Sequence, residues 1–542
     1  MSEPTQDLPP GWQSSPIEEL LQPLADGRKL HHGWSPQCDK EPAGEGEWGV
    51  LKTTAVQDGA FLPEHNKHLP PKLKPRTQFE VKQGDLLITC AGPRVRCGVP
   101  CLVRETRDRL ILSGKMYRFR VRPEVIDSRY VEAYLRSPET QRLIDKMKTG
   151  ISDSGLNLTH GRFFTLQVPV APPREQRRIV AKIEELFSDL DAGVAALNRV
   201  KANLKRYRAS VLKAAVEGRL TEEWRKRNPA TEPAAKLLQR ILTERRATWE
   251  AEQVRKFAEA GKSPPKGWKE KYDEPIVPSD FEVKPLPLTW CWATMEQLTT
   301  WGPQNGVYYP RSQYGRGTPI IRIDDYQNDS SRASNELQLV DAPAKDVETY
   351  GVRLGDIIIN RVNSMTHLGK CLVVESRHLP AVFESNMMRQ SLASDVVPTF
   401  LAHYLRSRVG NARLIANAKW AVNQASINQT DVGNTPAPLP PLAEQAEIVA
   451  EVDRRLSVTD AVQAEIEHGL QRASRLRQAI LKRAFEGRLV PQDPRDEIAA
   501  VLLDRVKAGE GGASNGHRAG ILNKEHAATV PTKRRSQSVV NE

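Results

Sequence analysis

Six cysteines in 542 residues (Cys38, Cys90, Cys97, Cys101, Cys291, Cys371) are too few for a disulfide framework. No apolar run approaches the roughly 18 residues of a membrane span. The opening MSEPTQDLPPGW has neither the basic nor the apolar region of a secretory leader, so the cytoplasm and no membrane contact are expected. Nucleotide chemistry is equally short of signals. Gly261-Lys262-Ser263 resembles the end of a phosphate loop, but Lys256 stands where the earlier Gly belongs and Pro264-Pro265 blocks the following helix. Ser263-Pro264-Pro265-Lys266 lacks the aromatic residue of an amino-methyltransferase motif. Glu80-Val-Lys82 and Glu282-Val-Lys284 match only three residues of a nuclease site. Cys97 and Cys101 do not have zinc-pair spacing, and His31-His32 has no ligand set nearby. No catalytic residue and no metal site is expected.

Positive charge is in excess: 79 Lys and Arg against 67 Asp and Glu, a formal +12, which suits a polyanionic partner. The stronger signal is an internal repeat. Leu8-Pro-Pro-Gly-Trp12 is echoed by Leu286-Pro-Leu-Thr-Trp290, and Val81-Lys-Gln-Gly-Asp-Leu-Leu-Ile88 by Val352-Arg-Leu-Gly-Asp-Ile-Ile-Ile359. Tyr134-Leu-Arg-Ser137 is echoed by Tyr404-Leu-Arg-Ser407, and Pro172-Pro-Arg-Glu-Gln176 by Pro440-Pro-Leu-Ala-Glu-Gln445. Val211-Leu-Lys-Ala-Ala-Val-Glu-Gly-Arg-Leu220 is echoed by Ile480-Leu-Lys-Arg-Ala-Phe-Glu-Gly-Arg-Leu489. Five blocks in one order describe a duplicated unit.

The stretches 175–218 and 444–487 have equal length, follow Pro-Pro, contain no Pro and end at Gly, which predicts two long helices. Ile183, Leu190, Leu197, Leu204 and Val211 recur every seven residues, flanked by Leu186, Val200, Tyr207 and Ala214. Val452, Ile466 and Ile480 form the second row, widened by Leu456, Leu470 and Leu476. These apolar rows need a partner: either the helices pair as an antiparallel coiled coil, or each packs on its own globular part. Residues 1–172 and 285–439 have short β-type runs instead: Gly49–Val56, Leu86–Thr89, Met116–Val121, Thr318–Ile323, Ile357–Ile359 and Lys370–Val374. With short helices near Tyr130–Leu135 and Thr399–Leu405, each reads as a mixed α/β domain with a small sheet. The fold class is α+β: two mixed domains separated by two long helices (173–220 and 440–490) in a pseudo-two-fold repeat. Residues 221–284 form a charged insertion with a solvated helix over Pro233–Ala260. Residues 491–542 carry a short helix, Arg495–Lys507, then a tail without a core, in which Lys533-Arg534-Arg535 is a minor basic cluster.

The paired blocks resemble the specificity subunit of type I restriction–modification systems, over about 1–220 and 285–490. The first copy departs by one residue in Pro-Pro-Arg-Glu-Gln, and the insertion is longer than expected. The resemblance implies a non-catalytic subunit in which each mixed domain is a target recognition domain reading half of a split, asymmetric DNA site. It implies that the helices set the distance between half-sites and that two modification subunits dock on the helical parts. Those subunits would bring S-adenosylmethionine, and restriction subunits would bring ATP and Mg. The chain itself would hold no cofactor while steering N6-adenine methylation and restriction on double-stranded DNA. Base readers are sought on polar loops after the Gly-Asp strands: Thr89, Arg94 and Arg96 in the first domain, and Asn360, Arg361, Asn363, Ser364 and His367 in the second. Arg suits guanine and Asn suits adenine, while turns with solvated side chains are the plain alternative. Arg322 and Lys52 are weaker candidates. Glu175, Gln176, Glu444 and Gln445 are expected either at partner docking or simply at helix starts. Two other readings stand beside this one: a fused restriction enzyme with unseen catalytic motifs, and a coiled-coil scaffold without a DNA role.

Overall fold

The computed structural model describes residues 8–278, 285–327, 330–421 and 424–505. Glu282-Val-Lys284, Lys507 and the tail with Lys533–Arg535 lie outside the described residues. The chain divides into two compact bodies, Met1–Ala196 with Gly469–Glu542, and Leu197–His468. Each body therefore combines one mixed domain with a stretch of both long helices, a grouping that cuts across the linear segments.

The centre of the first body is the strand Leu86–Thr89, all four residues of which are buried. It lies antiparallel between Met116–Val121 and Pro100–Leu102. Its counterpart in the second body, Ile357–Asn360, lies antiparallel between Met387–Leu392 and Cys371–Val373. Gly84 and Gly355 precede these strands with φ of 85° and 84°, a turn that disfavours a side chain. The Asp85 carboxylate accepts from the Lys82 amide at 2.8 Å and from Arg120 Nε at 2.7 Å; Asp356 accepts from the Arg353 amide at 2.8 Å. The Gly-Asp pair is thus a strand-entry turn closed by its own carboxylate.

Smaller sheets surround this centre, where one sheet per domain was expected. Gly49–Val56 is not one strand: Gly49–Leu51 pairs with Asn66–His68, and Thr53–Ala55 turns into a 3-10 helix because that partner strand ends. The other predicted strands form with shifts of a few residues, among them Tyr314–Ile321 and Cys371–Val373.

In Tyr-Leu-Arg-Ser, Ser137 closes helix Ser128–Arg136 and caps the next, Pro138–Met147, accepting from the Thr140 amide. Ser407 does the same between Pro398–Arg406 and Arg408–Leu414. The tyrosines fasten these helices to strands: Tyr134 Oη donates to the Gln167 carbonyl at 2.5 Å, and Tyr404 Oη to the Pro436 carbonyl.

The long helices run Pro173–Val216 and Leu442–Phe485, 44 residues each. Gly218 and Gly487 end them at φ of 70° and 68°, with Arg219 N–H bonded to the Ala214 carbonyl and Arg488 N–H to that of Arg483. These are six-to-one closing bonds of a left-handed glycine cap. In the first body Ile183 and Phe187 are buried in one cluster with Tyr130, Leu481 and Ala484, against which Leu190 and Ile480 pack. In the second, Val211 and Ala215 are buried with Trp290, Phe400, Ile448 and Val452, and Leu456 packs against them. Leu197, Leu204 and Leu470 are half-buried and Ile466 is buried. Val200, Tyr207 and Leu476, expected to widen the stripe, are exposed. In the second body Lys201 Nζ lies 3.5 Å from Glu467 Oε1, and Arg208 pairs with Asp460.

The insertion is not simply solvated. Its helix Ala234–Glu259 buries Ala234, Leu237 and Ile241 against Met295 and Leu298, and Arg245 donates to the Thr299 carbonyl at 2.8 Å. Farther out, Trp249 stacks on Trp268 with centroids 5.9 Å apart. Residues 499–505 are helical. Among the described residues no helix is long and apolar enough to cross a membrane.

Candidate nucleic-acid interface

The two central strands deliver their loops to similar surroundings. In the first body Ala91–Gly92 pairs antiparallel with Leu156–Asn157, and Asn157 exchanges backbone bonds with Thr149 at 2.7 and 2.8 Å. In the second, Val362–Asn363 pairs with Ala425 and Ser426, and Gln424–Ser426 pairs back onto Lys419–Ala421. A strand-exit loop backed by a two-stranded ribbon therefore recurs.

The loop residues divide sharply by exposure. Thr89 is 0% exposed, donates to the Arg96 carbonyl and accepts from the Val99 amide at 2.9 Å. Asn360 is 0% exposed, accepts from Tyr326 Oη and donates to the His367 carbonyl at 3.4 Å. Both are the last residue of a buried strand, so neither presents its polar group to a base edge. Arg96 is also spent on the fold: its guanidinium donates to the Thr53 carbonyl, to the Val56 carbonyl at 2.7 Å and to Gln57 Oε1 at 3.2 Å. Arg94 is exposed but ion-paired with Asp145 at 2.6 Å and Asp153 at 2.9 Å, tying loop to ribbon.

In the second body Arg361 is half-buried: Nη1 donates to the Ser385 carbonyl at 3.1 Å, and its carbonyl accepts from the Ile427 amide at 2.9 Å. Asn363, Ser364 and His367 do come together. Asn363 Oδ1 accepts from the Ser364 amide at 2.8 Å, and Ser364 Oγ lies 2.9 Å from His367 Nδ1. Ser364 and His367 are exposed, which leaves hydrogen-bonding groups facing solvent. Arg322 lies apart, bonded to Gln338 at 3.0 Å and 3.6 Å from Glu384; Lys52 is half-buried at the end of Gly49–Leu51.

Glu175, Gln176, Glu444 and Gln445 are buried and cannot present side chains to a partner. They fasten the bodies internally. Trp12 Nε1 donates to Glu175 Oε2 at 3.1 Å and Trp290 Nε1 to Glu444 Oε2 at 2.9 Å. Gln176 accepts from the Asp127 amide at 2.9 Å, and Gln445 from the Val397 amide at 2.8 Å.

Two residues that sequence reasoning passed over stand out. Ile151 and Trp420 are among the most exposed large apolar side chains, each on its body's ribbon. The repeat offset of 269 residues, counted between the Glu-Gln blocks, matches one to the other and was the available signal.

Nucleophile chemistry finds no support: burial pushes the Cys90 thiol up to about 12 and raises those of Cys97, Cys101 and Cys371. Among the described residues no group of three His, Cys, Asp or Glu side chains is placed to hold a metal ion.

No family model matches this sequence. The type I restriction enzyme EcoEI specificity subunit of Escherichia coli is 36% identical over 186 residues, 34% of this chain and 30% of that protein. The type I restriction enzyme StySPI specificity subunit of Salmonella potsdam is 25% identical over 517 residues, 92% of this chain and 96% of that protein. A solved chain, from a structure described as the basis of complex assembly and conformational transition of the type I R-M system, shares the fold. It is 20% identical, with 89% of this chain and all of that one covered and a TM-score of 0.54. From one short, closer match and one along almost its whole length, the chain is a relative of the specificity subunits of type I restriction enzymes.

Proposed function

We propose that this chain is the non-catalytic DNA sequence-recognition subunit of a type I restriction–modification complex. It reads a bipartite, asymmetric site and directs N6-adenine methylation and restriction by partner subunits. The observation that carries the reading is the recurrence of one loop-and-ribbon surface in each body of a chain related to specificity subunits. The two surfaces differ in side chains: Arg94, Arg96 and Ile151 in one, Asn363, Ser364, His367 and Trp420 in the other. Different readers require different half-sites, hence asymmetry.

The long helices act as an antiparallel spacer in this reading, and the pseudo-two-fold repeat sets the two readers. Lys201 and Arg208 meet Glu467 and Asp460, seven residues forward on one helix and seven back on the other, which supports antiparallel pairing. At about 1.5 Å per residue a 44-residue helix spans roughly 66 Å, ample for readers one DNA turn, about 34–36 Å, apart. Two modification subunits carrying S-adenosylmethionine, and restriction subunits carrying ATP and Mg, complete the assembly.

The test is a base-resolution methylome of a methylation-free host expressing this chain with its native modification subunit. A split, asymmetric motif with N6-methyladenine in both halves is the expected result. Two co-purifying proteins that leave no new motif would overturn the reading and favour a scaffold.

A further inference from the structure

The two ribbons carry more than polar loops. Trp420 is 72% exposed, on the outer strand of its ribbon, and Ile151 is fully exposed beyond Thr149 on the other. A large apolar side chain held into water by a paired strand costs solubility and serves no core. Its recurrence at the matching place of both repeats makes a chance surface residue a poor account.

The charge around these residues is one-sided. Residues 357–374 and 396–430, which supply the loop and ribbon of the second body, contain no Asp or Glu, although the chain has 67 acidic residues in 542. Arg361, His367 and Lys419 lie within them. In the first body residues 86–104 and 154–174 are likewise free of acid, and Asp153 between them is paired with Arg94. An apolar tip in a surface without carboxylates suits a polyanion that also offers apolar area. A DNA groove does both, with phosphates at its walls and base edges and thymine methyl groups at its floor. The major groove admits a two-stranded β-ribbon.

Resting on the DNA-reading role above, we infer that Trp420 and Ile151 are apolar anchors: each ribbon enters the groove of its own half-site and packs that side chain on base edges. The polar loop beside Trp420, with Asn363, Ser364 and His367, supplies hydrogen bonds next to that contact. Discrimination at one or two base pairs per half-site then depends on each anchor.

The experiment uses the full chain co-purified with its modification subunit. Binding is measured to the wild-type motif duplex and to duplexes altered one base pair at a time, for wild type, Trp420→Ala, Trp420→Phe and Ile151→Ala. Trp420→Ala is expected to weaken cognate binding about tenfold and to flatten preference at one or two positions of one half-site. Trp420→Phe should restore most of both. Ile151→Ala should flatten positions in the other half-site only. Unchanged affinity and preference in Trp420→Ala, an equal loss on cognate and scrambled DNA, or effects of both substitutions in the same half-site would each overturn the inference. A wild-type complex with no preference among the duplexes would instead overturn the DNA-reading role, and the anchors with it.

Discussion

Trp290 and Glu444 are joined by a hydrogen bond from the indole N–H to Oε2, 2.9 Å long, inside the second body. The other carboxylate oxygen accepts from Thr221 Oγ1 at 2.6 Å and from Arg225. Trp12 makes the matching bond to Glu175, yet there Oε1 has no hydrogen-bond partner. One carboxylate is paired with a cation and its repeat-mate is not.

These two glutamates should therefore respond oppositely to neutralisation. Burial raises the Glu175 carboxyl above its ordinary range. Its stabilisation is full below the pH at which the unfolded chain titrates, and is lost as pH rises through the raised folded value. Glu175→Gln, which still offers Trp12 an acceptor, should stabilise more at pH 7 than at pH 4. Glu444→Gln strands Arg225 and should cost on the order of 3 kcal/mol at pH 7. Urea unfolding of both variants at the two pH values measures the difference.

The closing glycines can be tested directly. A Cβ on Gly218 would lie 2.6 Å from Pro287 Cγ, and one on Gly487 2.3 Å from Pro9 Cγ, in addition to their left-handed φ. Gly218→Ala and Gly487→Ala should each lose at least about 2 kcal/mol, more than the 1–2 kcal/mol of the backbone conformation alone. Thermal melting gives the loss. In Gly487→Ala, amide exchange at Trp12, whose N–H bonds the Pro9 carbonyl, should also accelerate.

Helix packing in the second body predicts a coupled pair. Val211 and Val452 are buried in one cluster. Val211→Ala and Val452→Ala should each cost about 2 kcal/mol, and their double variant should depart from additivity by about 1 kcal/mol. Leu204→Ala, at a half-buried position, should cost less than either. Denaturant midpoints of the four chains check this.

Asn360→Ala separates folding from reading. It removes the acceptor of the buried Tyr326 hydroxyl, a loss of about 1–3 kcal/mol. Stability should fall while the methylated motif stays the same.

What the sequence disclosed follows the range of the interactions involved. Helix lengths were legible because Pro-Pro and Gly are local signals, and the Gly-Asp strands because their apolar runs are bounded by turns. The roles of Glu175 and Gln176 were not, since Trp12 is 163 residues away and the Asp127 amide 49. Thr89 and Asn360 looked like loop starts, but each is a strand's last, wholly enclosed residue. Trp420 and Ile151 were hidden because by residue type they read as core. The insertion's helix was misjudged because only Ala234, Leu237 and Ile241 of its 26 residues are buried, too few to mark an apolar face among its charges.

Gly487 packed on Pro9 has a consequence for biosynthesis. The second body is one uninterrupted stretch, Leu197–His468, whereas the first is built from residues up to Ala196 and from Gly469 onward. A ribosome therefore delivers most of the first body early and its closing helix last. During translation of the intervening residues Tyr130 and Tyr134 wait without Phe485, the ring they pack against at 5.1 Å. The half that begins first is finished second, and the nascent chain must shield that unfilled apolar surface until its final quarter is made.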